Sequence, residues 1–225
     1  MIDAIFVPRG AEADAVRAAL DRAGSPVRVM ETGIGPRAAL RAAEEALASA
    51  TPPRRTLITG LCGLLSPAFE VGDALAYAEL RHPSLRSIVL EPFFGSCLAD
   101  RVPAIQSGIR ALHSDTIVCS AAEKSALAAR FEVEAVDMES FVLAGRLHRA
   151  GVGVAVVRVG SDAAGEDLPD LERARDGSGG LDTWALLLQM LRSPLAGARL
   201  AANGTKALAA LRQTVSAILS AGAAR

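Results

Sequence analysis

A few carboxylates and glycines stand where this sequence has the residue types that chemistry needs. Asp162 closes Arg158-Val-Gly-Ser161-Asp162, at the end of the β-branched run Val152–Val159. An aspartate there serves either as a helix N-cap or as a general acid, since burial raises a carboxyl pKa. Asp137 and Glu139 flank Met138 where an apolar strand passes into a helix. Acids at that point complement the positive end of the helix macrodipole, or they face a ligand. Two glycine groups, Gly33-Ile34-Gly35 and Gly60-Leu61-Cys62-Gly63, allow close approach of the backbone to a ligand and expose its N–H groups.

The elements that must position these residues alternate between strand and helix. The patterning predicts strands over Ile2–Val7, Pro26–Met30, Thr56–Thr59, Ala74–Leu80, Ser87–Leu90, Thr116–Cys119, Val133–Val136 and Val152–Val159. Helices are expected over Ala11–Ala23, Arg37–Ala50, Ala121–Arg130, Met138–Ala150, Leu181–Leu191 and Leu195–Leu219, the last two separated by Pro194. Glu91–Gln106, with Phe93-Phe94, reads as a loop or short helix, and the polar stretch Gly160–Gly180 as a mobile loop. This is the α/β pattern of a mostly parallel sheet flanked by helices, in which ligands bind beyond the carboxyl ends of strands. One domain is expected over 1–225, with a basic helical extension at about 181–225.

Composition narrows the function. The chain has 225 residues, 51% of them apolar, and a formal net charge of −1. That is ample for a core, and it argues against a nucleic-acid binder, which carries a strongly basic surface. No apolar run reaches the ~18 residues of a membrane span, and the N-terminus has no basic, apolar leader. Cys62, Cys97 and Cys119 show no C-x-x-C spacing, as expected of reduced cytoplasmic thiols. His82, His113 and His148 form no ligand pair, so no metal is expected.

Four segments in order, Gly33–Gly35, Thr59–Asp73, Asp137–Glu139 and Arg158–Asp162, resemble the motifs of the nucleoside phosphorylase/nucleosidase superfamily over roughly residues 1–165. The resemblance implies a three-layer phosphorylase-type fold and cleavage of a purine N-ribosidic bond. Asp162 would protonate the leaving base, with Ser161 beside it. Glu139 would accept hydrogen bonds from the ribose hydroxyls, and Met138 would pack on the sugar. Glu12, in the first turn after the first strand, matches the base that activates water in nucleosidases; its alternative is a solvated helical residue. Ile117 and Val118 fall on the base-binding strand, where relatives usually place a Phe at the position of Ile117.

Phosphorylases of the family carry an Arg and a Ser where Ile58 and Leu61 stand here. Hydrolysis is therefore expected over phosphorolysis, with inorganic phosphate the co-substrate in the second case and no other cofactor in either. Arg9, Arg37 and the N–H groups of Gly35 and Gly60 remain candidates for an anion site. Ala122-Glu123-Lys124, Val136–Ser140 and the tail from Leu191-Arg192-Ser193-Pro194 onward resemble the hopanoid-associated branch of the family. That implies release of adenine from adenosylhopane. Methylthioadenosine/S-adenosylhomocysteine nucleosidase and futalosine hydrolase are alternatives, and a non-catalytic nucleoside-binding protein is another. The resemblance also implies a homodimer or larger assembly. From Thr183 onward there is no acidic residue, while Arg192, Arg199, Lys206, Arg212 and Arg225 are basic and Leu195, Leu208, Leu211, Val215 and Leu219 apolar. Such a helix either packs on the sheet or lies on the inner face of an anionic membrane.

Overall fold

A computed structural model describes residues 2–84, 86–90, 101–169 and 194–223. In chain order the elements are β1 (Ala4–Pro8), α1 (Ala11–Ala23), β2 (Arg28–Thr32), α2 (Pro36–Ala48), β3 (Arg55–Leu64), β4 (Ala74–Arg81) and β5 (Ser87–Val89). They continue with β6 (Ile105–His113), α3 (Ala121–Phe131), β7 (Ala135–Asp137), α4 (Ser140–Arg149), β8 (Gly153–Asp162) and α5 (Pro194–Ala223).

The strands form one mixed sheet. Five pairings are parallel, β1–β2, β1–β3, β3–β8, β4–β6 and β6–β7, and three antiparallel, β3–β7, β4–β5 and β4–β8. Because β8 pairs with both β3 and β4, the strands β3, β7, β6, β4 and β8 close into a ring. β1 and β2 extend the sheet on one side of the ring, and β5 on the other.

Side-chain alternation along the central strands feeds two cores. Phe6, Ile58, Val154 and Val156 pack toward α2 and α4, which contribute Ala39, Ala43, Leu143 and Leu147. Ile5, Val7, Leu57, Val157 and Val159 pack toward α1 and α5, which contribute Val16, Leu20, Leu211 and Val215. A third cluster, with Leu65, Leu112, Val118 and Val136, lies under Phe131 at the end of α3.

Several expectations change. Gly60–Gly63 lies inside β3, because that strand runs on to Leu64 alongside β8. The sixth strand is Ile105–His113; its alternation is broken by Gln106-Ser107-Gly108, which hides it in the sequence. Thr116–Cys119 is irregular backbone rather than a strand, despite its β-branched residues, because β6 already supplies the strand before α3. The first residues after β8 are tied down: Leu168 N–H donates to Cys119 O (2.8 Å), and Ala121 N–H to an Asp167 carboxylate oxygen (2.7 Å). The expected helix Leu181–Leu191, the pair Phe93-Phe94 and Cys97 lie outside the described residues.

The apolar face of α5 is spent inside the protein. Ala207, Leu211, Val215 and Ile218 are buried against α1 and the sheet, with Leu219 packed beside them. Of the two readings of this helix, packing on the sheet is the one its apolar residues follow, with Leu211, Val215 and Leu219 facing the core. Arg199 and Lys206 stay on the exposed side. Among the described residues no helix is long and apolar enough to cross a membrane.

Candidate active site

The site is organised around Arg158, a guanidinium on β8 that is 1% exposed. Its Nη2 lies 3.3 Å from Glu139 Oε2 and 3.6 Å from Asp137 Oδ1. Its Nε donates to Ser140 Oγ (3.1 Å), and its Nη1 to the carbonyl oxygen of Leu61 (3.3 Å). A buried cation with this many partners is a fixed strut. Burial alone would lower its pKa, but the Asp137 and Glu139 carboxylates outweigh that and hold it above its ordinary value.

Glu139 sits just before α4, 5% exposed. It accepts the N–H of Gly35 (2.8 Å), the residue that opens α2. Burial pushes its carboxyl pKa up, while Arg158 opposes the shift. Asp137 performs the capping duty that its position allows: Oδ1 accepts the N–H groups of Glu139 (2.9 Å) and Ser140 (2.7 Å). Its Oδ2, like Thr32 Oγ1 beside the Gly33–Gly35 turn, is buried without a hydrogen-bond partner among the described residues. Such atoms cost about 1–3 kcal/mol each when unmatched. Met138 is 8% exposed between the two acids.

Glu12 turns inward from the first turn of α1, and its Oε2 accepts the N–H of Leu61 (2.7 Å). Desolvation by burial raises its pKa to about 7, with Arg158 acting the other way. The backbone of Leu61 is therefore held on both sides, its N–H by Glu12 and its carbonyl by Arg158. Gly60 makes this closure feasible. It has φ +134°, and a Cβ there would stand 2.4 Å from Glu12 Oε2 and 2.7 Å from Arg158 Nη1.

Asp162 lies three residues further along the same stretch of β3, opposite Gly63. Three residues of strand separate Gly60 from Gly63 by roughly 10 Å. A β-bulge places Asp162 there: Cys62 pairs with Gly160 and Gly63 with Asp162, so Ser161 is the extra residue. Ser161 Oγ lies 2.7 Å from Asp162 Oδ1 and 3.1 Å from Cys62 O. Asp162 Oδ2 is in contact with the ammonium of Lys124 on α3. Cys62, underneath, is a buried thiol whose pKa is pushed up to about 12 by desolvation.

The structure thus gathers Glu12, Gly35, Gly60, Glu139, Ser161 and Asp162 along the ends of β3 and β8, with Met138 between Asp137 and Glu139. Arg9 and Arg37 lie on the solvent side, outside this cluster. Arg9 carries a side chain 77% exposed and pairs with Glu31 (3.2 Å), and Arg37 is exposed on α2. Ile117 is half-buried in the irregular segment before α3, and the Val118 side chain belongs to the third core cluster. Sequence reasoning gave no role to Lys124 or Arg158. Both stand inside segments that carry the family resemblance, Ala122-Glu123-Lys124 and Arg158–Asp162, but their burial, at 0% and 1% exposed, is what marks them individually.

No family model matches the chain, and no curated protein matches it by sequence. Solved structures do match. Futalosine hydrolase of Helicobacter pylori aligns at a TM-score of 0.73 and 15% identity, over 96% of this chain and 96% of that one. The 5′-methylthioadenosine/S-adenosylhomocysteine nucleosidase of the same organism, solved with butyl-thio-DADMe-Immucillin-A, aligns at 0.73 and 16% over 96% and 97%. The corresponding nucleosidase of Neisseria meningitidis, in complex with methylthio-immucillin-A, aligns at 0.71 and 18% over 96% and 98%. At these identities what is shared is architecture: the chain has the α/β fold of these nucleosidases, the three-layer arrangement expected from the sequence.

Proposed function

We propose that this protein hydrolyses the N-ribosidic bond of a purine nucleoside. The observation that carries the reading is the placement of Glu12 from α1 and Asp162 from β8 beside two points of β3, with Glu139 fixed by Arg158 nearby. Cleavage of the C–N bond leaves positive charge on the sugar and an electron pair on the base. Asp162 delivers a proton to the base. Glu139 accepts the ribose hydroxyls. Glu12, with a pKa near 7, takes the proton of the attacking water.

Water is favoured over phosphate because two of the candidate cations are already paired and Arg37 is exposed on α2. Arg158 is held by two carboxylates, Arg9 by Glu31, and Ile58 and Leu61 have no side-chain donor. The reading needs no metal or organic cofactor. The fold shared with nucleosidases solved with nucleoside-like inhibitors supports a nucleoside as substrate. The finer assignment is adenosylhopane. It is favoured by Lys124: the Ala122-Glu123-Lys124 run, which resembles the hopanoid-associated branch, reaches the site through the Asp162 contact. The functional unit is proposed as a homodimer or larger, which light scattering checks.

The test is base release from adenosylhopane, methylthioadenosine and futalosine in parallel, each with and without phosphate. Release without phosphate supports hydrolysis, and the preferred substrate identifies the 5′ substituent. Base release that occurs only when phosphate is added, with formation of the 5-substituted ribose 1-phosphate, overturns the choice of water. Tight nucleoside binding with no release from any of the three overturns the enzymatic reading in favour of a binding protein.

A further inference from the structure

We propose that Lys124 supplies, through Asp162, the proton that the departing base receives, an inference that rests on the N-ribosidic reading above. Lys124 projects from α3 and is wholly buried. Its ammonium meets three acceptors: Asp162 Oδ2, the carbonyl oxygen of Ala163 (2.9 Å) and that of Glu166 (3.1 Å). Three N–H donors thus have three partners. The neighbouring acids are engaged elsewhere. The Glu166 carboxylate accepts from Asn203 of α5 (2.9 Å) and Ala163 N–H (3.4 Å), and Asp167 accepts from Ala121 N–H (2.7 Å). Asp162 is therefore the carboxylate in contact with this ammonium, which holds an N–H donor directly against Oδ2.

The pair provides a source for the proton. Ser161 hydroxyl holds Asp162 Oδ1, which leaves Oδ2 as the oxygen that exchanges. The Nζ–H bond of Lys124 breaks as Oδ2–H forms, giving a neutral amine beside a neutral carboxyl. That O–H then breaks as the proton passes to the base nitrogen, which receives the electron pair of the broken C–N bond. Amine and carboxylate remain, and a solvent proton restores the ammonium. In the neutral pair, the two remaining N–H groups of Lys124 keep the carbonyls of Ala163 and Glu166. Lys124 is a positioning residue in this scheme, acting on the base only through Asp162.

A lysine that merely anchored Asp162 would matter equally for every leaving group. A proton supplier matters only when the leaving group needs a proton. The experiment compares wild type, K124M and K124R on the adenine nucleoside that wild type cleaves and on a 4-nitrophenyl riboside with the same 5′ substituent, whose phenolate leaves unprotonated. Thermal melting establishes which variants fold. Arginine keeps the charge but does not surrender its proton, so K124R carries the test even where K124M fails to fold. Both variants are expected to lose about 100-fold or more in kcat on the nucleoside and to stay within about threefold of wild type on the nitrophenyl riboside. Equal losses on both substrates, or a K124R that matches wild type on the nucleoside, overturn the role of Lys124 and leave the N-ribosidic reading standing. A wild type that releases no base from any nucleoside overturns that reading and this inference with it.

Discussion

Glu12 combines a helical position with a carboxyl pKa near 7, and both consequences are measurable. The base must be ionised, so hydrolysis should rise with pH through about 7. Glu12→Gln should lower kcat by about 10²–10⁴-fold and remove that rising limb. Stability runs the opposite way. A raised carboxyl pKa means the folded state keeps a proton that the unfolded chain releases near 4.5, so this group's contribution is full below about 4.5 and is lost as pH rises through about 7. Denaturant unfolding at pH 5 and pH 8 should show wild type losing more stability than Glu12→Gln over that interval. Arg158 belongs to the same scale. Arg158→Met leaves Glu139 and Asp137 buried without their cation and should cost about 3–5 kcal/mol, read as a fall in Tm. The acids were legible in the sequence because Asp-Met-Glu and Ser-Asp stand at strand ends. Their partners were not. Gly35 and Glu139 are separated by 104 positions, and Lys124 and Asp162 by 38.

Two elements carry the geometry. In β3 the backbone at Gly60 has a positive φ and no room for a Cβ. Gly60→Ala should destabilise by about 1–3 kcal/mol and displace the Glu12 carboxylate, so kcat should fall together with Tm. The sequence marks Gly60 as a turn, whereas the glycine instead lets a strand continue beneath two charged side chains. In α5 the apolar stripe was legible and its destination was not. A helical pattern of apolar and basic residues reads the same whether it meets a bilayer or a neighbouring helix. Leu211, fully buried between α1 and β8, decides the matter: Leu211→Ala should cost about 2–5 kcal/mol in chemical denaturation. Flotation with anionic vesicles should leave the wild-type protein unbound, because the face that would enter lipid is covered.

At the scale of the whole molecule, local pattern sets the elements and distant pairing sets their order. The Val152–Val159 run reads as a central strand because both its faces are apolar, and β8 does lie between β3 and β4. Ring closure has no such signature, since it depends on β4 and β3 taking opposite edges of the same strand. The β3–β8 ladder also has a cost in time. Thr59 bonds to Val157, a partner 98 residues away. On the ribosome β3 emerges with one edge open and waits for β8. At about 5–20 residues per second that interval is roughly 5–20 s, long compared with hydrophobic collapse. The strand that later holds Glu12 and Asp162 apart is thus, for those seconds, an apolar edge able to pair with the wrong chain. Yield in the cell should therefore respond to temperature and chaperone supply more steeply than the stability of the finished protein would indicate.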